Sequence, residues 1–126
     1  MSQPLSKPTD SELEILQILW RHGPSTVKSV QAALGEDTGY TTALKFLQIM
    51  TEKGLVRRNE SQRAHVYEAA CSKDATQRQL LAGFLKRAFS GSTSQLIMQA
   101  LATKRATAAE LAEIKELINQ LTSENK

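Results

Sequence analysis

Thr41, Thr42, Lys45 and Gln48 are the side chains whose types and spacing offer the clearest chemistry in this chain. At about 100° per residue, a helix from Tyr40 to Lys53 carries Thr41, Lys45, Gln48 and Glu52 on one side. Ala43, Phe46, Leu47 and Met50 fall on the other. An outward row of short and hydrogen-bonding groups suits the edges of base pairs in a DNA major groove. Threonine meets a thymine methyl or a base edge, lysine favours guanine O6 and N7, and glutamine favours adenine. Such a helix needs a grip on phosphates. Tyr40, Lys28 and the N-terminal amides of this helix and the one before it are candidates. Arg57, Arg58, Arg63 and His65, just downstream, are candidates for a basic wing. Between Tyr40 and Tyr67, Lys45, Lys53, Arg57, Arg58 and Arg63 stand against Glu52 and Glu60, a local excess of +3.

The elements around these residues have a consistent order. Thr9-Asp10-Ser11-Glu12 has the spacing of a capping box. It opens a helix to about His22, closed by Gly23-Pro24. Leu13, Ile15, Leu16, Ile18, Leu19 and Trp20 cover most of that helix, so other elements must wrap it. Ser25 is placed to cap a second, short helix to Leu34, with Val27, Val30, Ala33 and Leu34 inward. After a glycine-containing turn comes the helix from Tyr40, with Gly54 suited to a left-handed terminus. This is helix-turn-helix organisation. Leu55–Asn59 and Arg63–Glu68, with partial alternation of β-branched and aromatic residues, predict a β-hairpin whose turn includes Glu60, Ser61 and Gln62.

From Ser72 the chain predicts three more helices: about Asp74 to Phe89, about Thr93 to Ala102, and one opened by the capping box Thr107-Ala108-Ala109-Glu110. The domains expected are a flexible tail over residues 1–8, a winged helix-turn-helix over 9–70, and a helical homodimerisation unit over 72–126. About 55 residues in three amphipathic helices bury their apolar faces poorly alone. Leu81, Phe84 and Leu85, with Leu111, Ile114, Ile118 and Leu121 in 3-4-3 spacing, form the expected dimer seam. The alternative is that these helices fold back on their own winged helix. Gly83 either marks a close helix crossing or is a tolerated weak point. The fold class is thus mainly α with a small β-hairpin wing.

Composition is that of a soluble globular chain of 126 residues, 40% hydrophobic and 23% charged. The net +3 does not select the polar helix. Residues 1–70 hold eight Lys/Arg and eight Asp/Glu, and residues 71–126 hold eight and five. Local arrangement must therefore carry any polyanion binding. The longest apolar run, Leu80–Leu85, falls far short of the roughly 20 residues of a membrane span. Residues 1–10, with Pro4 and Pro8, are no signal peptide. Cys71, the only cysteine, excludes an internal disulfide and fits a reducing compartment, so a cytoplasmic protein is expected.

Catalysis finds no support. There is no glycine-rich phosphate loop, no HExxH and no Ser/His/Asp grouping. Of the neighbouring acids, Glu12 caps and Glu14 lies on a polar strip. His22, His65 and Cys71 match no zinc-ligand spacing, so neither metal nor cofactor is expected. The alternative to nucleic-acid binding is a winged helix used for protein contacts, with the polar row as an ordinary solvated face.

Taken together, Ser11-Glu12-Leu13-Glu14-Ile15-Leu16 with Leu19-Trp20, Glu52-Lys53-Gly54-Leu55-Val56, the Arg63-Ala64-His65-Val66-Tyr67 wing and three C-terminal helices resemble a known family. It comprises the penicillinase and methicillin-resistance repressors of the BlaI/MecI type and their copper-responsive CopY relatives. The resemblance spans nearly all of residues 9–121. It implies a homodimeric repressor on dyad-symmetric double-stranded operator DNA, with dimer contacts through the C-terminal helices. Antibiotic-responsive members are inactivated by a membrane sensor metalloprotease that cuts an Asn-Phe bond. The matching position here is Gln99-Ala100. Copper-responsive members carry paired C-terminal cysteines, and residues 107–126 contain none.

Overall fold

The computed structural model describes residues 7–61 and 63–125. In order, the elements are α1 (Asp10–His22), β1 (Ser25–Thr26), α2 (Val27–Leu34), α3 (Tyr40–Glu52), β2 (Val56–Asn59), β3 (Val66–Ala69), α4 (Lys73–Phe89), α5 (Thr93–Thr103) and α6 (Ala108–Glu124). They form two compact units, one ending at Leu81 and the other beginning at Ala82.

The first unit is built around α1. Its capping box is complete: the Thr9 hydroxyl accepts from the Glu12 amide at 3.2 Å, and the Glu12 carboxylate accepts from the Thr9 amide at 2.9 Å. Ile15, Leu16 and Leu19 of α1 meet Val27 and Val30 of α2, Ala43, Leu47 and Met50 of α3, and Leu55, Val56 and Tyr67. Of the rest of the inward set that helical periodicity predicts, Trp20, Leu34 and Phe46 pack partly buried against this core, Leu13 is half-buried, and Ala33 is exposed. Trp20 packs on the core and donates its indole Nε1–H to the Cys71 carbonyl at 3.0 Å. That bond ties the end of the wing to the central helix. Cys71 is buried, and so is Thr76, in the first half of α4.

The second helix starts differently from the expectation. Thr26, not Ser25, is the cap: its hydroxyl accepts from the Ser29 amide at 3.2 Å. Ser25 instead donates to the Gly23 carbonyl. Ser25 and Thr26 also pair with Tyr67 and Val66, making a third strand in the order β1-β3-β2. Two residues are too few to show alternation, so nothing local announces this strand.

The end of α3 follows from Gly54. With φ at 81°, it takes a left-handed conformation that costs a side-chain-bearing residue strain. The Leu55 amide then donates to the Met50 carbonyl at 2.9 Å, and the Gly54 amide to Thr51 at 3.1 Å. This is a Schellman closure, and it drops Leu55 into the core directly before β2. In the hairpin, Val56 faces Ala69, Arg57 faces Glu68, Arg58 faces Tyr67 and Asn59 faces Val66. The second strand begins at Val66 rather than Arg63. Asn59 Oδ1 accepts from the Ser61 amide at 2.9 Å, an Asx turn that ends the ladder. Gln62 of the predicted turn, and residues 1–6 of the predicted tail, lie outside the described residues. Pro8 is buried.

In the second unit, the end of α4 is separated from α5 by Ser90 and Gly91, both at positive φ (52° and 83°). Phe84 and Phe89 meet edge to face, with centroids 5.6 Å apart. Thr107 and Glu110 complete the second capping box. Among the described residues from Ala82 on, none is buried. A methyl added at Gly83 would meet only the flexible tip of Arg87, at 2.9 Å.

Candidate nucleic-acid interface

Helix α3 is held on its inner face by Ala43, Leu47 and Met50, all fully buried. That fixes which residues face out: Tyr40, Thr41, Thr42, Lys45 and Gln48 are all exposed. The outward residues divide between two surfaces. Tyr40 and Gln48 turn towards the hairpin and line a groove of about 700 Å³ with Lys28, Arg58, Arg63 and His65. Thr41, Thr42 and Lys45 lie on the adjoining face beside Phe46 and Ile49. The structure thus brings together, around one helix, nine of the ten residues that the sequence singles out. The tenth, Arg57, does not line the groove. Neighbouring strand residues point to opposite sides of a sheet, so Arg57 turns away when Arg58 turns in. It pairs with its cross-strand neighbour Glu68 at 3.3 Å.

The two helix N-termini are not equivalent. Thr26 occupies the Ser29 amide at the start of α2. At the start of α3 the cap is Gly39, which has no side chain to offer, and no side-chain cap is made. The first amides of α3 are therefore open to an anion, with the helix dipole in favour.

Charge at the interface is smaller than the sequence count suggests. Lys53 binds Glu12 at 2.8 and 2.9 Å, Arg57 binds Glu68, and Arg58 binds Glu60. Among the described residues, Lys28, Lys45 and Arg63 have no acidic partner. The sequence reading missed all three pairings. Arg57–Glu68 follows once hairpin register is known, and Arg58–Glu60 joins the end of β2 to the turn that follows it. Glu12 and Lys53 are 41 positions apart, and nothing local joins them.

That last pair fixes the helix itself. Glu12, at the start of α1, is buried, and Lys53, at the end of α3, is about one-third exposed. Burial pushes the Glu12 carboxyl up. The hydrogen bond from Lys53, the Thr9 bonds and the Lys53 charge more than offset this, leaving its pKa below the ordinary 4.5. The carboxylate stays charged and clamps the far end of α3 to α1.

Among the described residues, no group of three His, Cys, Asp or Glu stands close enough to hold a metal ion. What the site offers is a rigid polar helix, free backbone donors and a cationic groove. If these act together on DNA, Lys45→Ala should weaken binding to a preferred sequence more than to random duplex. Arg63→Ala should weaken both and reduce the slope of log K against log salt by about 0.9 per wing engaged. Anisotropy titrations at several salt concentrations read both effects, and equal loss on all sequences from Lys45→Ala would remove it from base readout.

Helix, short helix, outward-facing helix and hairpin, closed by a third short strand, define the winged-helix class. Within that class the chain belongs to the penicillinase repressor family, whose model matches residues 8–120. The transcriptional regulator BlaI of Mycobacterium tuberculosis is 34% identical over 84 residues. The match takes in 64% of this chain but only 58% of that relative's length. Among solved structures, the monomeric form of Bacillus licheniformis BlaI, in complex with the blaP half-operator, superposes with a TM-score of 0.50 at 20% identity. It covers 58% of this chain and 92% of that one. A MarR family protein of Bacillus stearothermophilus gives a TM-score of 0.53 at 17% identity, over 94% of this chain and 76% of that one. At these identities the two structures bear on the fold alone.

Proposed function

We propose that this protein is a homodimeric transcriptional repressor that binds a two-fold symmetric operator in double-stranded DNA. The observation that carries this reading is the outer face of α3, polar and uncapped at its N-terminus, beside a groove holding Lys28, Arg58, Arg63 and His65. Helix α3 enters the major groove, where Thr41, Thr42, Lys45 and Gln48 meet base edges. Tyr40, Lys28 and the first amides of α3 hold the near phosphates, and Arg58, Arg63 and His65 hold those under the wing. Arg57, on the other side of the hairpin, acts on backbone only at long range. The relative's name, a transcriptional regulator, agrees with this assignment. The role is one of binding rather than catalysis, in the cytoplasm where the DNA is. Among the described residues no helix is long and apolar enough to cross a membrane.

Dimerisation falls to the C-terminal helices. Leu81, Phe84, Leu111, Ile118 and Leu121 are each about half exposed, as are Leu117 and Met98. Leu85 and Ile114 are partly covered. A run of large apolar residues this exposed is unusual for a lone soluble chain, and a second copy supplies a matching surface under two-fold symmetry. The two α3 helices then reach successive major grooves, with half-sites about one helical turn apart. Binding of the full-length chain to duplex DNA tests the reading. The account requires log K to fall linearly with log salt, and no measurable affinity at low salt would end it.

Relief of repression by a membrane sensor metalloprotease extends the same reading. Gln99 and Ala100 are exposed in the middle of α5, where their carbonyls accept from the Thr103 hydroxyl at 2.7 Å and the Lys104 amide at 3.3 Å. A protease needs extended backbone, so α5 must open locally before cleavage. Fragments split between residues 96 and 102 in induced cells would support this switch, and an intact chain would oppose it.

A further inference from the structure

We propose that Glu60 is a specificity-setting residue that occupies Arg58 in the free protein, so that a DNA phosphate must displace it. The inference rests on the DNA-binding reading above and adds to it a role for an acidic residue. Arg58 is in β2, and Glu60 lies two positions on, just past the strand's last residue, Asn59. An Asx turn, the Asn59 Oδ1 accepting from the Ser61 amide, bends the chain at Glu60. The Arg58 Nη2 and Glu60 Oε1 atoms form an ion pair. Arg58 also lines the groove beside α3 with Lys28, Arg63 and His65. Of the three cationic side chains Lys28, Arg58 and Arg63 in that groove, it alone has an acidic partner among the described residues.

A carboxylate and a phosphate oxygen make the same bidentate demand on arginine. An exposed pair of this kind is weak, so a well-placed phosphate wins the exchange. On a preferred sequence α3 seats fully, and the wing is brought against the backbone. On random duplex the protein is held loosely by charge alone. There Arg58 stays with Glu60, and the carboxylate itself faces the phosphates. Glu60 thereby removes one cationic contact from non-specific binding while leaving it available to the specific complex. It acts where that matters, since cellular DNA offers a vast excess of non-specific sites. Glu68 plays no such part, because its partner Arg57 lies off the groove.

The test compares Glu60→Gln with Glu14→Gln, an equal change in net charge at an exposed site on α1. Each full-length protein is titrated with random duplex and with a duplex carrying the sequence preferred by the unaltered protein. Glu60→Gln should tighten binding to random duplex about fivefold per engaged wing near 0.1 M salt, and steepen its salt slope by about 0.9 per wing. Binding to the preferred duplex should change less, so the ratio of the two affinities falls. Glu14→Gln should leave slope and ratio unchanged. In an Arg58→Gln background, Glu60→Gln should lose its effect on the slope. If Glu60→Gln and Glu14→Gln behave alike while the unaltered protein binds its preferred duplex normally, Glu60 has no such role and the DNA-binding reading stands. If the unaltered protein does not bind DNA, both fall together.

Discussion

Ile118→Glu should convert the protein to a monomer and weaken its binding to a symmetric operator by about a hundredfold or more. Ile118 lies on α6 in line with Leu111, Ile114 and Leu121, and half of it is exposed in the isolated chain. Burying a residue of this kind contributes about 1.5–3 kcal/mol, and a two-fold seam counts each substitution twice. A glutamate there loses that gain and places two like charges face to face without partners. The operator effect follows from linkage. Once one winged helix is bound, the second binds as if at millimolar concentration, and separating the subunits forfeits an avidity of about 10² or more. Binding to random duplex also falls, but its pattern across sequences should not change. Sedimentation gives the mass and circular dichroism confirms that helix content is kept. A dimer of unaltered mass with normal operator affinity would show that α6 is not the seam.

Lys53→Met should lower stability by about 3 kcal/mol at neutral pH, the larger of the two effects from breaking the clamp on α3. The asymmetry comes from burial. Removing Lys53 leaves the Glu12 carboxylate buried without its counter-ion, the costly way to break such a pair. Removing the charge of Glu12 leaves a lysine already one-third exposed, which can turn to water. Glu12→Gln also keeps an oxygen for the Thr9 amide, so it should cost less, about 1–2 kcal/mol. The pair makes stability depend on pH with a definite sign. Because Glu12 is more acidic in the folded chain than its ordinary 4.5, its contribution is fully present above that value. It is lost as pH falls through the lower folded-state pKa. Denaturant midpoints from pH 7 to pH 3 should therefore drop in the unaltered protein and drop less in Glu12→Gln. Parallel profiles would mean that Glu12 is not the group responsible. A loosened clamp should also reduce discrimination between operator and random duplex, since Lys53 directly precedes the glycine that turns α3 into the wing.

Much of this architecture is legible in the residue order because its determinants are local. Both capping boxes, Ala43, Leu47 and Met50 on the inner face of α3, and the left-handed Gly54 depend on neighbours within a few positions and appear where the spacing places them, while the second hairpin strand starts three residues later than its alternation suggests. Family membership follows from the same motifs. What escapes is what depends on distant partners. Ser25 reads as a helix cap, and Thr26 as the first residue of the helix, because the strand they join is some forty residues away. Glu12 reads as a cap alone because Lys53 lies across the core. The local +3 around the wing reads as free charge because hairpin register, which pairs Arg57 with Glu68, is a tertiary fact. The division of the outer face of α3 into a wing side with Gln48 and an open side with Lys45 also needs the hairpin in place.

The central claim is that α3, carried twice by a dimer, chooses the DNA sequence. Selection of bound duplexes from a random pool by the full-length protein tests it most directly. The account predicts a two-fold symmetric motif with half-sites about one helical turn apart, and a motif that loses information at defined positions in each half when selection is repeated with Lys45→Ala or Gln48→Ala. Recovery of no sequence above background, or of an identical motif from the altered proteins, would contradict it.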